Sequence, residues 1–123
     1  MTFTRAISSG FQNYVNFGGR AMRSEFWYWT LFALLASIAA GLVDLALFAQ
    51  WDVSPINSLV GLALFLPGLA VSIRRLHDLD RTGWWFLLVF IPIVGWIVLL
   101  IWNCTRGTVG PNRFGPDPLA VAP

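Results

Sequence analysis

Lysine is absent from the sequence, histidine and cysteine occur once each, and only 11% of the residues are charged. Each scarcity removes a class of protein. A lone cysteine, Cys104, excludes an intramolecular disulfide framework and a cysteine-built metal cluster, and it reads as a packed thiol. A lone histidine, His77, leaves no second imidazole for a metal site. All eight basic residues are arginine and the net charge is +2, too small an excess for a nucleic-acid binder. No metal and no cofactor is therefore expected. Soluble domains carry about 25% charged residues, whereas this chain of 123 residues is 57% hydrophobic. A fold this small has too much surface for its volume to hide that much apolar area from water. A bilayer removes the difficulty.

Three apolar runs carry the hydrophobicity. The first, 26–48, reads FWYWTLFALLASIAAGLVDLALF. At about 1.5 Å per residue it is long enough for a hydrocarbon core of about 30 Å. The second, 56–73, is near the lower limit for a span, and the third is 84–102. Each is apolar around its whole circumference, as lipid-embedded helices are. Tryptophans gather at the ends: Trp27 and Trp29 open the first run, Trp51 follows it, Trp84 and Trp85 open the third and Trp102 closes it. Amphipathic rings favour the headgroup level, so this spacing marks membrane edges. Trp96 is the exception and is expected to face another helix. The fold class is thus an all-α membrane protein of three transmembrane helices in a single domain. A secretory signal is not expected in the first 25 residues, whose charge pattern is mixed.

Arginine placement gives the orientation. Arg5, Arg20 and Arg23 precede the first run, and Arg74, Arg75 and Arg81 lie between the second and third. The loop AQWDVSP has none. The positive-inside rule then places the N-terminus in the cytoplasm. Under three full spans, Arg106 and Arg113 fall outside. Pro92 and Gly95 interrupt the third run, so a re-entrant hairpin is the alternative, and it would return the tail to the cytoplasmic side. Re-entrant backbone needs protein or water around it, and two neighbouring helices offer little cover, so the full span is the expectation. Residues 3–15 place Phe3, Ile7, Phe11, Tyr14 and Val15 at helical spacing, the pattern of a short interfacial helix weakened by Gly10. The tail, TRGTVGPNRFGPDPLAVAP, is dense in glycine and proline and should be irregular.

Polar residues form two clusters. In RRLHDLDRTGWW, three guanidiniums, an imidazole and two carboxylates share a short loop. The plain interpretation is topological: cations suit a helix C-terminus, and Asp80 or Thr82 is positioned to cap the next helix. Guanidinium forks also bind phosphate bidentately, so an anionic headgroup site is the functional version. His77 and Asp78 resemble a general base with its carboxylate, yet sequence neighbours rarely face each other and no nucleophile stands nearby. The second cluster, FGGRAMRSEFWYW, offers Ser24 as a helix cap and Glu25 in the first turn. Charges at this depth are costly unless paired, so Glu25 or Asp78 is expected to bond an arginine of the other cluster. Inside the first run, Asp44 is either a titrating group or a carboxylate bonded to Asn57 or Ser58. Ala36, Ser37, Ala40 and Gly41 permit close helix approach.

Four motifs stand in one order: FGGRAMRSEFWYW, RRLHDLDRTGWW, IPIVG and NRFGPDP. Together they strongly resemble the domain of unknown function 805 family of small bacterial inner-membrane proteins, from about Tyr14 to Pro118. The resemblance implies a bacterial inner-membrane protein of three or so spans and supplies no activity. Thr82 and Gly19 are small departures. Asn112, Arg113 and Asp117 form a stiff tail motif suited to docking onto the chain's own loop or a partner. The functional expectation is a non-enzymatic membrane component whose cytoplasmic face, Arg20, Arg23, Arg74, Arg75, His77, Asp78 and Arg81, binds anionic lipid or a partner protein. The alternative is an ion-coupled transporter accessory that acts as a homo-oligomer with Asp44 as its titrating group.

Overall fold

The computed structural model describes residues 2–121. Every named element in it is helical: α1 (Phe3–Gln12), α2 (Arg23–Phe48), α3 (Pro55–Asp78), α4 (Val94–Cys104) and α5 (Pro118–Val121), with 3-10 segments at Ala49–Trp51 and Gly83–Phe90. The all-α membrane architecture expected from composition is present, with α2 and α3 each long and apolar enough to cross a bilayer. They pack against each other around Ala21, Trp29 and Val71, with Phe26, Phe32 and Leu64 at the edge of this core. Most large apolar side chains of α2 and α3 face outward, Leu45 and Leu62 being 66% and 74% exposed. An outside made of leucine needs lipid.

The turn between α2 and α3 is built by Asp44. Its Oδ1 accepts from the Ile56 N–H at 2.9 Å and its Oδ2 from the Asn57 N–H at 2.8 Å. Pro55 occupies the first helical position and has no N–H, so the carboxylate fills the next two orphan donors of α3. An N-cap residue normally does this from its own helix; here a neighbouring helix does it. Asp44 thus bonds Asn57 through its backbone, and Ser37 Oγ donates to Asn57 Oδ1 at 3.0 Å alongside. Ala40 is buried there, as close helix approach requires. Asp52, in the left-handed region at φ 53°, turns the chain.

Pro67 lies inside α3 and leaves the Ala63 carbonyl without its helical donor. Tyr14 supplies one: its hydroxyl donates to Ala63 O at 2.6 Å. In hydrocarbon an unpaired carbonyl is expensive, so this bond ties the segment after α1 to the middle of α3. Tyr14→Phe is expected to destabilise the protein by about 1–2 kcal/mol, read as a shifted midpoint in denaturant unfolding in detergent micelles. α1 is capped by Thr2, whose side chain accepts from Arg5 N at 3.2 Å. It stops at Gln12, short of the expected 15. Gly10 does more than weaken it, because a Cβ there would collide with the Trp29 ring. Phe11 meets Trp29 edge-on with centroids 5.3 Å apart. The expected Ser24 cap is not used; Met22 occupies the cap position without a side-chain bond and Glu25 lies in the first turn.

The third run departs from the expectation of a full span. It begins as a 3-10 segment, breaks at Ile91–Ile93, and continues as an α4 of 11 residues. At about 1.5 Å per residue α4 rises about 16 Å, half a hydrocarbon core. Ile93 has φ 67°, rare for a β-branched residue, and Val94 N donates back to Pro92 O at 2.8 Å across it. Gly95 lets the two arms close, since a Cβ would strike the Leu88 carbonyl. Trp96, expected to face another helix, instead donates Nε1 to Val89 O at 2.8 Å and satisfies the break. At the open end Trp85 and Trp102 meet edge-on at 5.6 Å. The run therefore doubles back, and both its ends lie where α2 begins and α3 ends. This hairpin is the reason the tail reaches the arginine clusters. The tail is irregular up to α5; its last residues, 122–123, lie outside the described residues.

Candidate functional site

The ends of α2 and α3, the loop 79–82 and the tail build one polar cap. Three buried ion pairs, made by two carboxylates, organise it. Glu25 Oε2 meets Arg74 Nη1 at 2.7 Å, with side chains 5% and 4% exposed. Asp78 lies between two cations: Oδ1 is 2.9 Å from Arg20 Nη2 and Oδ2 is 2.8 Å from Arg75 Nη1. Both of the expected carboxylates thus pair with an arginine of the other cluster. Ser9 Oγ also donates to Glu25 Oε2 at 3.0 Å, which ties α1 to the cap.

Further donors of Arg20 and Arg75 go to tail carbonyls. Arg20 reaches Thr108 O at 2.6 Å and Gly110 O at 2.8 Å. Arg75 donates to the carbonyls of Trp102, Asn103 and Thr105 at the end of α4, where the helix leaves carbonyls unpaired. The Thr108 N–H donates to Asp78 O at 2.7 Å, and a Cβ on Gly107 would overlap the Asp78 carboxylate. Only glycine lets the tail approach this closely. Arg81 is placed differently: its guanidinium lies over the Trp102 ring, 4.1 Å from the centroid. Arg23 is exposed, with Nη1 3.3 Å from Cys104 O.

His77 and Asp78 do not form a base–carboxylate couple. His77 Nδ1 sits 2.9 Å from Gly19 O, and its ring stacks on Phe114 with centroids 4.0 Å apart and 2° between planes. The Arg113 guanidinium lies 4.9 Å from the Phe114 ring centroid and bonds Asp80 at 3.1 Å. Asn112 Nδ2 donates to His77 O at 2.9 Å. Asp80 is therefore a tail contact rather than a helix cap. The tail's own clasp is Asp117, which accepts from Arg106 Nη2 at 2.9 Å and from Gly110 N at 3.0 Å. The Arg106 hydrogen bond, reinforced by the Gly110 N–H, holds its carboxyl down at about 2.

Of the residues expected to form an outward anion-binding face, Arg20, Arg74, Arg75, His77 and Asp78 are buried. They bind the protein to itself. Burial is the physical reason: once the hairpin returns the tail, its carbonyls cover the cluster. Arg23 is exposed and Arg81 half-buried. Of the tail motif, Asn112 and Arg113 dock on His77 and Asp80 while Asp117 bonds within the tail, and Asp44 stands apart at the opposite end. Sequence reasoning missed Gly107, Thr108, Gly110 and Phe114 as parts of the cap; the only signal for them was glycine and proline density. Among the described residues no group of histidine, cysteine and carboxylates could hold a metal.

Comparison with known proteins agrees with a membrane protein. Residues 14–116 match the family described as "Protein of unknown function (DUF805)". The chain is 45% identical over 109 residues to the inner membrane protein YhaH of Escherichia coli K12, covering 87% of this chain and 90% of that one. It is 48% identical over 107 residues to the inner membrane protein YhaI of the same strain, with 87% and 89% covered. No solved structure matches the chain. The chain belongs to the DUF805 family.

Proposed function

We propose that this DUF805 protein is a non-enzymatic component of the inner membrane, with two spans and a re-entrant hairpin, whose arginine end faces the cytoplasm and gathers anionic lipid headgroups. One observation carries the reading: every arginine lies at the same end. Arg5 is on α1, which packs beside the start of α2 through Phe3 and Tyr28 at 5.9 Å. Arg106 and Arg113, expected outside under three full spans, join the other six because the hairpin returns them. That distribution suits the positive-inside rule with both N-terminus and tail in the cytoplasm.

The headgroup-facing residues are those the cap leaves outside it: Arg5, Arg23, Arg81 and Arg113. Trp27, Tyr28, Trp84 and Trp85, at the same end, carry exposed rings. Cations above an aromatic belt match an anionic leaflet, where each contributes about 1 kcal/mol. The test is the lipid that follows the protein through gentle detergent purification. Enrichment of phosphatidylglycerol over bulk membrane is expected, and Arg5→Gln, Arg23→Gln and Arg113→Gln together should lower it severalfold while leaving the fold intact. Absence of enrichment, or enrichment indifferent to the three substitutions, overturns the reading. A protein retained in place of lipid would turn it towards a partner.

A further inference from the structure

Arg74 is placed like Arg20 and used differently. In Arg20 the edge of the guanidinium formed by Nε and Nη2 is filled by Asp78, with Nε 3.0 Å and Nη2 2.9 Å from Oδ1. Arg74 spends only Nη1, on Glu25. Its Nε and Nη2 are both buried and have no hydrogen-bond acceptor. These donors are the adjacent, parallel pair with which a guanidinium grips two oxygens of one anion. Arg74 is 3% exposed, so water from the surroundings does not serve them. An unfilled pair of charged donors in such a place is costly.

Donor use points the same way. Arg75, as deeply buried as Arg74, fills its Nη2 with tail carbonyls and leaves only Nε open. Among the buried arginines of the described residues, Arg74 alone leaves both donors of that edge unfilled. From this we infer that Arg74 holds the phosphate oxygens of an anionic ligand in the cap, between α1 and the α2–α3 pair. The ligand class is a phosphate mono- or diester, from a lipid headgroup or from free phosphate. α1 is the element that must yield to admit it, because Ser9 donates to the same Glu25 oxygen that Arg74 contacts. No bond is made or broken; the site binds.

The inference rests on the reading of the arginine end as a headgroup surface, but its test is separate. The full chain, labelled with nitrogen-15 arginine in phosphate-free detergent micelles, gives an Nε–H resonance for Arg74 that side-chain correlations link to its backbone. Titration with short-chain phosphatidylglycerol, and separately with inorganic phosphate, should shift that resonance saturably. Response to the lipid alone identifies a headgroup site; response to both identifies a phosphate site. Arg74→Lys keeps a cation for Glu25 without the two-donor edge, and should weaken binding about tenfold. An unmoved Arg74 Nε–H with both probes overturns the inference, whether or not the lysine variant folds. A silent Arg74 in a protein that still enriches phosphatidylglycerol defeats the fork alone. A responsive Arg74 in a protein that enriches none defeats the surface reading alone.

Discussion

Asp78→Ala should prevent the cap from closing and cost about 3–5 kcal/mol, the scale of removing one partner from a buried ion pair. The substitution strands two guanidiniums, Arg20 and Arg75, whose side chains are 1% and 0% exposed. Both also hold tail carbonyls, so their release should free the tail as well. Asp78→Asn keeps an acceptor and should fall between the alanine variant and wild type. The control is Asp80→Ala. Asp80 pairs with Arg113 at 3.1 Å, but both side chains are about half exposed, at 48% and 56%. Exposed pairs contribute at most about 1 kcal/mol. Unfolding in detergent followed by tryptophan fluorescence measures both variants, since Trp102 lies on the cap. Equal midpoints for Asp78→Ala and Asp80→Ala would remove the buried network from the account.

Cys104 provides the second large effect, because two topologies give it opposite addresses. It is exposed at the end of α4, and its carbonyl bonds Arg23 at the foot of α2. With the arginine end in the cytoplasm, a membrane-impermeant maleimide should label Cys104 in inside-out vesicles and leave it untouched in intact spheroplasts. Asp52 sits at the far turn between α2 and α3. Asp52→Cys combined with Cys104→Ser should therefore label in spheroplasts only. Labelling of both Cys104 and Asp52→Cys from outside would mean that the third run crosses the bilayer, and the hairpin would have to be abandoned.

The two long helices were legible because hydropathy and length suffice for them, and the ion pairs because each acid had few basic partners at its depth. The hairpin was not. Hydropathy has no direction, so an apolar run that turns back scores like one that crosses. Pro92 and Gly95 did mark the turn, yet the cover that argued against it was undercounted. Trp96 within the hairpin, and Arg23 and Trp27 at its end, supply bonds to backbone that would otherwise be bare. The depth of the arginine cluster was hidden for a related reason. Clustering shows in sequence, whereas burial depends on a tail whose glycines carry no pattern beyond flexibility. Asp44 was tied to Asn57 or Ser58, whereas its target is a pair of N–H groups, on Ile56 and Asn57, which no residue type advertises. Ser24 against Met22 as the helix cap is a shift of a position or two of the kind to which boundaries are prone.

The hairpin also gives the molecule a taper. At the Asp44 end its section is two helices, while at the arginine end α1, α4 and the segment Gly83–Phe90 are added around them. Phe90 comes down beside Phe65, so the extra bulk ends about midway along α3. A body of that outline should take up more area in one leaflet than in the other, and so sit best in a sheet of lipid bent to match, broad side on the roomier leaflet.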